Sequence, residues 1–196
     1  MSLLLSMATF ALASSITPGP VNIVALSAGA QFGLRPALRH VSGATLGFTL
    51  LLLAIGLGLD QLLARWPWLT ESIRLAGVAF LLYMAWRLMR DEGRLDTNGA
   101  AVQPTLLQGA AMQWLNPKAW LASVAGMGLF AAGDDAMAVW RFAAIYFVIC
   151  YASLACWAYA GTFLRHHLSE PRRVRAFNWL MALLLVACAL YLLVSE

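Results

Sequence analysis

Long apolar runs without a charged residue dominate the chain. Three of them, at residues 41–59, 142–164 and 176–195, contain no Asp, Glu, Lys or Arg. Each is close to the roughly 20 residues that a helix needs to cross the hydrocarbon core of a bilayer. The runs are continuous rather than alternating, which predicts membrane-spanning helices and excludes the strands of a β-barrel.

Three further stretches bring the predicted spans to six. The chain is uncharged until Arg35, which gives a first span at about 3–30. No Lys or Arg precedes this run, so it is predicted to be a retained span and not a signal peptide. The remaining spans are predicted at about 41–60, 69–89, 105–132, 142–164 and 176–195. The sequence therefore predicts an all-α integral membrane protein with six transmembrane helices.

Proline interrupts the first and fourth predicted helices. Span 1 contains Thr17-Pro18-Gly19-Pro20-Val21-Asn22, and span 4 contains Asn116-Pro117-Lys118. Proline lacks a backbone N–H and clashes with the carbonyl of the residue four positions earlier, so a smooth helix cannot continue through either segment. In lipid the freed backbone groups would be costly, and such breaks survive where they face protein or a watery cavity. Helices 1 and 4 are thus predicted to be broken at a cavity.

The two breaks suggest an internal duplication. Pro18 and Pro117 stand 99 residues apart in a chain of 196. A division near residue 98 leaves three spans in each half, 1–98 and 99–196. Because three is odd, the halves must insert with opposite orientation, as two inverted three-helix repeats. The polar stretch 91–104 is predicted to be the cytoplasmic linker between them.

Composition and charge agree with this interpretation. Hydrophobic residues make up 62% of the chain and charged residues 11%, far from the balance of a soluble domain. Predicted loops 1, 3 and 5 hold nine arginines, against three in loops 2 and 4. The positive-inside rule then places loops 1, 3 and 5 in the cytoplasm and both termini outside. The nine are Arg35, Arg39, Arg87, Arg90, Arg94, Arg165, Arg172, Arg173 and Arg175. Topology accounts for the net charge of +4, so no nucleic-acid partner is predicted.

The candidate binding site lies where the two helices break. Each half-helix that restarts there presents an N-terminus with roughly half a positive charge. Lys118 would add an ammonium able to meet a carboxylate, although a lysine can also extend towards the interface. Asn22 and Asn116 either coordinate a ligand or cap the half-helices. The predicted substrate-binding residues are Thr17, Pro18, Gly19, Pro20, Asn22, Asn116, Pro117 and Lys118.

Other residue types receive more ordinary assignments. Gly43 and Gly47 have the small-xxx-small spacing of close helix packing. His40, His166 and His167 are expected beside loops 1 and 5, in contact with water or headgroups. Three tryptophans are candidates to line the cavity, and the other five are expected near the span ends. These three are Trp114, Trp120 and Trp157. The cysteines, Cys150, Cys156 and Cys188, are expected to serve as small apolar packing residues. No catalytic group, metal site or cofactor is predicted.

The same residues resemble the LysE/RhtB family of amino-acid exporters over essentially the whole chain. The likeness rests on residues 17–22, on Gly33, Arg35, Gly43 and Gly47, and on Gln113-Trp114-Leu115-Asn116-Pro117-Lys118. Residues 25–28 and 39–48 look most like the cysteine and O-acetylserine exporter branch. The resemblance implies efflux of small neutral amino acids or derivatives from the bacterial cytoplasm through the inner membrane. It also implies proton coupling, and it leaves a homodimer open.

Two alternatives and one difficulty accompany this interpretation. A membrane thiol-redox protein on a related scaffold would need a cysteine at each proline break, where Gly19, Asn22, Asn116 and Lys118 stand instead. A heavy-metal exporter would need clustered His, Cys or carboxylate ligands. Proton coupling usually employs a membrane-embedded Asp or Glu. Here Asp60 and Glu71 are the nearest candidates, so the sequence does not identify the coupling residue.

Overall fold

Every secondary-structure element that the computed structural model describes is a helix. It describes residues 2–59, 65–90, 103–131, 136–165 and 170–194. The eight helices in these ranges are α1 Leu3–Ile16, α2 Pro20–Phe32, α3 Leu34–Gly56, α4 Pro67–Arg90, α5 Leu106–Trp114, α6 Pro117–Phe130, α7 Ala136–Arg165 and α8 Pro171–Val194. An all-α membrane architecture is therefore confirmed for the described part of the chain.

Both predicted helix breaks are present. α1 ends at Ile16 and α2 begins at Pro20, and the two axes differ by 62°. Gly19 is fully extended at the start of α2, and Pro20 occupies the first turn, where its missing N–H costs nothing. In the second half α5 ends at Trp114 and α6 begins at Pro117.

The described residues contain four or five candidate spans, against the six that the sequence predicts. Four helices, α3, α4, α7 and α8, are long and apolar enough to cross a membrane, and the bent pair α1 and α2 would make a fifth. The predicted fourth span, 105–132, is divided into helices of 9 and 14 residues. Both pieces are shorter than a bilayer requires, so a sixth span exists only if α5 and α6 cross it together.

The helices extend further into the predicted loops than expected. α3 begins at Leu34, so Arg35 and Arg39 lie in its first turns and not in a loop, with exposed side chains. Gly33 alone makes the turn between α2 and α3, with φ 85°, a backbone angle that favours glycine. The predicted linker 91–104, apart from Gln103 and Pro104, lies outside the described residues, as do Arg94, Asp60, His166 and His167.

The packing joins the two halves of the chain crosswise. α7 packs along both pieces of the first broken helix, α1 and α2. α3 packs along both pieces of the second, α5 and α6, while α4 packs against α8. The principal apolar core lies between α1, α2, α3, α6 and α7, with Met112 of α5. Each broken helix is thus supported by an unbroken helix from the other half.

Glycines allow these crosswise contacts to be close. A Cβ added to Gly29 on α2 or to Gly161 on α7 would lie closer than 3.0 Å to a backbone carbonyl oxygen of the other helix. On α3 the same holds for Gly43 and Gly47, against the backbones of Leu106 and Ala110. Both crossings therefore bring helix backbones into direct contact.

His40 is buried, contrary to the expectation that it would meet water or headgroups. Its relative exposure is 0%, and neither ring nitrogen has a hydrogen-bond partner among the described residues. His40 is buried because it lies inside α3, which begins at Leu34. α5 then crosses with Gly109 directly against the His40 backbone.

Candidate functional site

A hydrogen bond from Lys118 joins the two helix breaks. The Lys118 Nζ atom donates to the carbonyl oxygen of Thr17 at 2.6 Å. The lysine side chain passes over Gly19, where an added Cβ would lie 3.3 Å from Nζ and 3.2 Å from Cδ. Gly19 therefore leaves the room that the side chain needs. The two segments, 101 positions apart in sequence, meet at this contact.

Side chains from three other helices satisfy the carbonyl groups at the end of α1. The last carbonyls of a helix have no partner within it. The Ser15 carbonyl accepts from Asn22 Nδ2 at 2.9 Å. The Ile16 carbonyl accepts from Trp157 Nε1 at 3.1 Å. With Lys118 on Thr17, these bonds fix the broken end against α2, α6 and α7.

The second break is capped by its own residues. Asn116 Oδ1 accepts from the backbone N–H of Lys118 at 3.2 Å, which is the arrangement of a helix N-cap. At the end of α5, the Trp114 carbonyl accepts from Trp120 Nε1 at 2.8 Å. The sequence allowed two roles for Asn116, ligand coordination and helix capping. The structure shows the capping hydrogen bond.

A small cavity lies between the two breaks. Its volume of about 40 Å³ is room for roughly three water molecules. Lys118 is the one charged residue among the described residues that line it. The lining residues are Ser14, Ser15, Val21, Asn22, Phe48, Gln113, Asn116, Lys118, Ala119, Ala122, Tyr146, Cys150 and Leu154.

The predicted site residues divide into two groups around this cavity. Asn22, Asn116 and Lys118 line it. Four of the other predicted residues do not appear in its wall: Thr17 and Pro18 are exposed, and Gly19 and Pro20 are buried. Pro117 begins α6. The prolines and Gly19 thus shape the break, while the polar side chains next to them reach the cavity.

Several cavity residues were not among the binding residues predicted from the sequence. Ser15 stands on α1, Gln113 on α5, and Tyr146 and Cys150 on α7. Cys150 packs in the apolar core, as expected, and it also lines the cavity that contains the Lys118 ammonium. One signal pointed to the cavity, the polar pair at residues 14–15 just before the break. The four-residue spacing puts Tyr146 and Cys150 on one helix face, but it does not show what that face meets.

None of the three tryptophans proposed for the cavity lines it. Trp120 donates to the Trp114 carbonyl, and the two rings meet edge to face at 6.1 Å. Trp157 donates to the end of α1. An indole N–H is a donor only, and here two of the three serve carbonyls at the ends of broken helices.

Replacing Trp157 with phenylalanine tests this bond, because phenylalanine keeps most of the ring packing but lacks the N–H. The Ile16 carbonyl would lose its partner, and because this bond is exposed the free energy of unfolding is expected to fall by about 0.5–1.5 kcal/mol. Thermal unfolding in detergent, followed by light scattering, would measure the shift. Trp179→Phe is the matched control, since Trp179 is 51% exposed. Equal shifts for the two variants would contradict the assignment.

The described residues contain no cluster of side chains that could bind a metal ion. No three His, Cys, Asp or Glu side chains cluster there as a metal site would require. The three cysteines are free, with Cys150 buried, Cys188 half-buried and Cys156 exposed.

Known proteins resemble the chain over nearly its full length. The family model for the LysE type translocator matches residues 12–196. A protein of Klebsiella pneumoniae subsp. pneumoniae named "Cysteine/O-acetylserine efflux protein" is 30% identical over 194 residues, which cover 95% of each chain. Proteins of the same name from Escherichia coli and Shigella sonnei are each 28% identical over 185 residues, which cover 92% of each chain. No solved structure matches.

Proposed function

The chain belongs to the LysE type translocator family, and from that premise we propose that it exports small amino acids or their derivatives from the bacterial cytoplasm. The named relatives are cysteine/O-acetylserine efflux proteins, which supports substrates of that size and polarity. The apolar helices support a location in the inner membrane. Both termini would lie on the periplasmic side, as the distribution of arginines suggests.

One observation carries the proposal: the Lys118 ammonium lies in a cavity at the meeting point of two broken helices. A substrate carboxylate would take the place of the Thr17 carbonyl on Nζ, assisted by the positive N-terminal end of α6. The Thr17 carbonyl, once released, could accept a hydrogen bond from the substrate's α-ammonium. Both charged groups of an amino acid would then find partners at the same break.

The crosswise packing supports two inverted halves, with α5 and α6 together forming the sixth span. Exchange of the halves maps α1 and α2 onto α5 and α6, and α3 onto α7. The packing of α7 along α1 and α2 then corresponds to the packing of α3 along α5 and α6. The contact of α4 with α8 maps onto itself. This pattern fits alternating access around a site between the halves.

The size of the cavity supports a closed conformation. Roughly three water molecules, with three non-hydrogen atoms in all, take less space than O-acetyl-L-serine, which has ten. Loading would therefore require the two breaks to move apart, and the Lys118 bond to Thr17 is the contact that must open. We propose that this movement exposes the site to one side of the membrane at a time.

Coupling to the proton gradient is also part of the proposal. No carboxyl group is present among the described residues that line the cavity. Glu71 is exposed, and Asp60 lies outside the described residues. The substrate's own carboxylate or amine could carry the proton, which would make an embedded acidic side chain unnecessary.

Flux into and out of proteoliposomes tests the proposal. Vesicles loaded with labelled O-acetyl-L-serine or L-cysteine are expected to release it faster with the protein than without it. An imposed pH gradient should accelerate this release, and a protonophore should abolish the acceleration. If correctly folded protein moves no amino acid in either direction, the export proposal is wrong. If flux occurs without response to the pH gradient, only the proton coupling is wrong.

A further inference from the structure

Two buried hydroxyl groups near the cavity have no hydrogen-bond partner. Ser15 is 8% exposed and Thr45 is 0% exposed. Neither hydroxyl oxygen meets full hydrogen-bond geometry with a described residue, although the Tyr146 hydroxyl lies near Ser15 and the Cys150 thiol lies near both. Proteins pair nearly all buried polar groups, and the exceptions call for an unseen partner or a function.

The two hydroxyls flank the same thiol. Ser15 on α1 and Cys150 on α7 both line the cavity. Thr45 on α3 lies beside the Cys150 thiol, one turn before the cavity residue Phe48. These three side chains, Ser15, Thr45 and Cys150, are called the hydroxyl–thiol wall. Three helices from both halves of the chain contribute to it.

An apolar surface adjoins the wall. The rings of Phe48 and Tyr146 stack with centroids 4.4 Å apart, and both residues line the cavity. Lys118 lines it as well, and its bond to Thr17 is only two positions from Ser15. A small amino acid whose carboxylate is held by Lys118 would therefore lie within reach of the wall and against the stacked rings.

We infer that the hydroxyl–thiol wall is the subsite for the substrate's side chain, and that it selects short side chains that carry a hydroxyl, a thiol or an ester oxygen. This inference rests on the proposed function. A serine or threonine hydroxyl can both donate and accept, so it can pair with a substrate hydroxyl, thiol or carbonyl oxygen. The stacked rings of Phe48 and Tyr146 would contact the methylene group, which leaves the polar end of a short side chain facing the wall.

An isosteric pair of substrates isolates this interaction. L-2-Aminobutyrate has a methyl group where L-serine has a hydroxyl and L-cysteine a thiol, with little change in shape. It would leave the wall hydroxyls unpaired when bound. A site that pairs with a polar substrate group discriminates against the analogue that lacks it. The wild-type protein should prefer L-serine over L-2-aminobutyrate by about tenfold, as one neutral hydrogen bond predicts.

The test measures competition by both amino acids against labelled O-acetyl-L-serine in proteoliposomes. The variants are Ser15→Ala, Thr45→Val and the double variant, none of which changes charge and each of which changes shape little. In these variants the preference for L-serine over L-2-aminobutyrate should fall from about tenfold towards none, because the wall loses hydrogen-bond donors. Ser27→Ala is the matched control, because Ser27 is also buried and unpartnered but does not line the cavity. Its ratio should equal that of the wild type.

The outcomes separate this inference from the proposed function. In each variant, transport of labelled O-acetyl-L-serine that L-2-aminobutyrate still inhibits shows that the variant is folded and active. If the wild-type protein exports amino acids but shows no preference for L-serine, the wall is not a side-chain subsite. The same conclusion follows if Thr45→Val and Ser15→Ala keep the wild-type ratio, in which case water satisfies the hydroxyls. Absence of flux for every amino acid would instead contradict the export proposal.

Discussion

Lys118→Met is expected to reduce export by roughly 10- to 100-fold, because a hydrogen-bonded charge contributes about 1.5–3 kcal/mol. Methionine has a similar length and no charge, so the change removes the ammonium while it fills the same space above Gly19. The substrate carboxylate would lose its cationic partner and meet only the end of α6. The loss should appear mainly as a higher KM for O-acetyl-L-serine, since binding is weakened before any movement occurs.

Two controls separate substrate binding from support of the fold. Lys118→Arg keeps the positive charge, and it should retain more flux than Lys118→Met if charge is what the substrate requires. Lys118 also bonds to the Thr17 carbonyl in this conformation, so its loss could destabilise the break. The thermal midpoint of each variant in detergent measures that effect. Normal export by Lys118→Met at an unchanged midpoint would contradict the carboxylate assignment even if the chain is an exporter.

The two breaks could be predicted because local chemistry determines them. Proline at positions 18, 20 and 117 cannot lie within a helix interior, and the structure divides the helices at those positions. The helix ends were harder to predict. Arg35 and Arg39 look like loop residues because charge usually marks the end of a span. One glycine with positive φ nevertheless turns the chain, so α3 begins at Leu34.

The cavity could be predicted only in part, because its wall depends on contacts between distant segments. Asn22, Asn116 and Lys118 adjoin the breaks in sequence, and local reasoning identified them. Tyr146 and Cys150 reach the cavity because α7 packs along the first broken helix. Periodicity along α7 does not reveal which face turns towards a partner. The burial of His40 has the same origin, since it depends on where α5 crosses α3.

Gly43→Ala is expected to destabilise the protein by about 1–3 kcal/mol or more, as an overpacked core does. The added Cβ would lie closer than 3.0 Å to the carbonyl oxygen, carbonyl carbon and Cα of Leu106. All three are backbone atoms, so no side-chain rotation relieves the clash, and α3 and α5 must separate. Thermal unfolding in detergent, followed by intrinsic tryptophan fluorescence, would show a lowered midpoint.

Gly128→Ala is the matched control for this change. Gly128 lies inside α6, and a Cβ added there meets nothing within 4 Å. Alanine is the better helix former by up to about 1 kcal/mol, so this variant should be neutral or slightly more stable than the wild type. A midpoint for Gly43→Ala equal to that of Gly128→Ala would contradict the close approach of α3 and α5.

The comparison separates helix approach from backbone flexibility. Both glycines lie within helices, and both substitutions remove the same conformational freedom from the unfolded chain. The difference between the two midpoints therefore reports the contact across α3 and α5. Gly29→Ala extends the test to the crossing of α2 and α7, where the carbonyl of Ala158 is the obstacle. If both crossings hold the halves together, Gly29→Ala and Gly43→Ala should each lower the midpoint while Gly128→Ala does not.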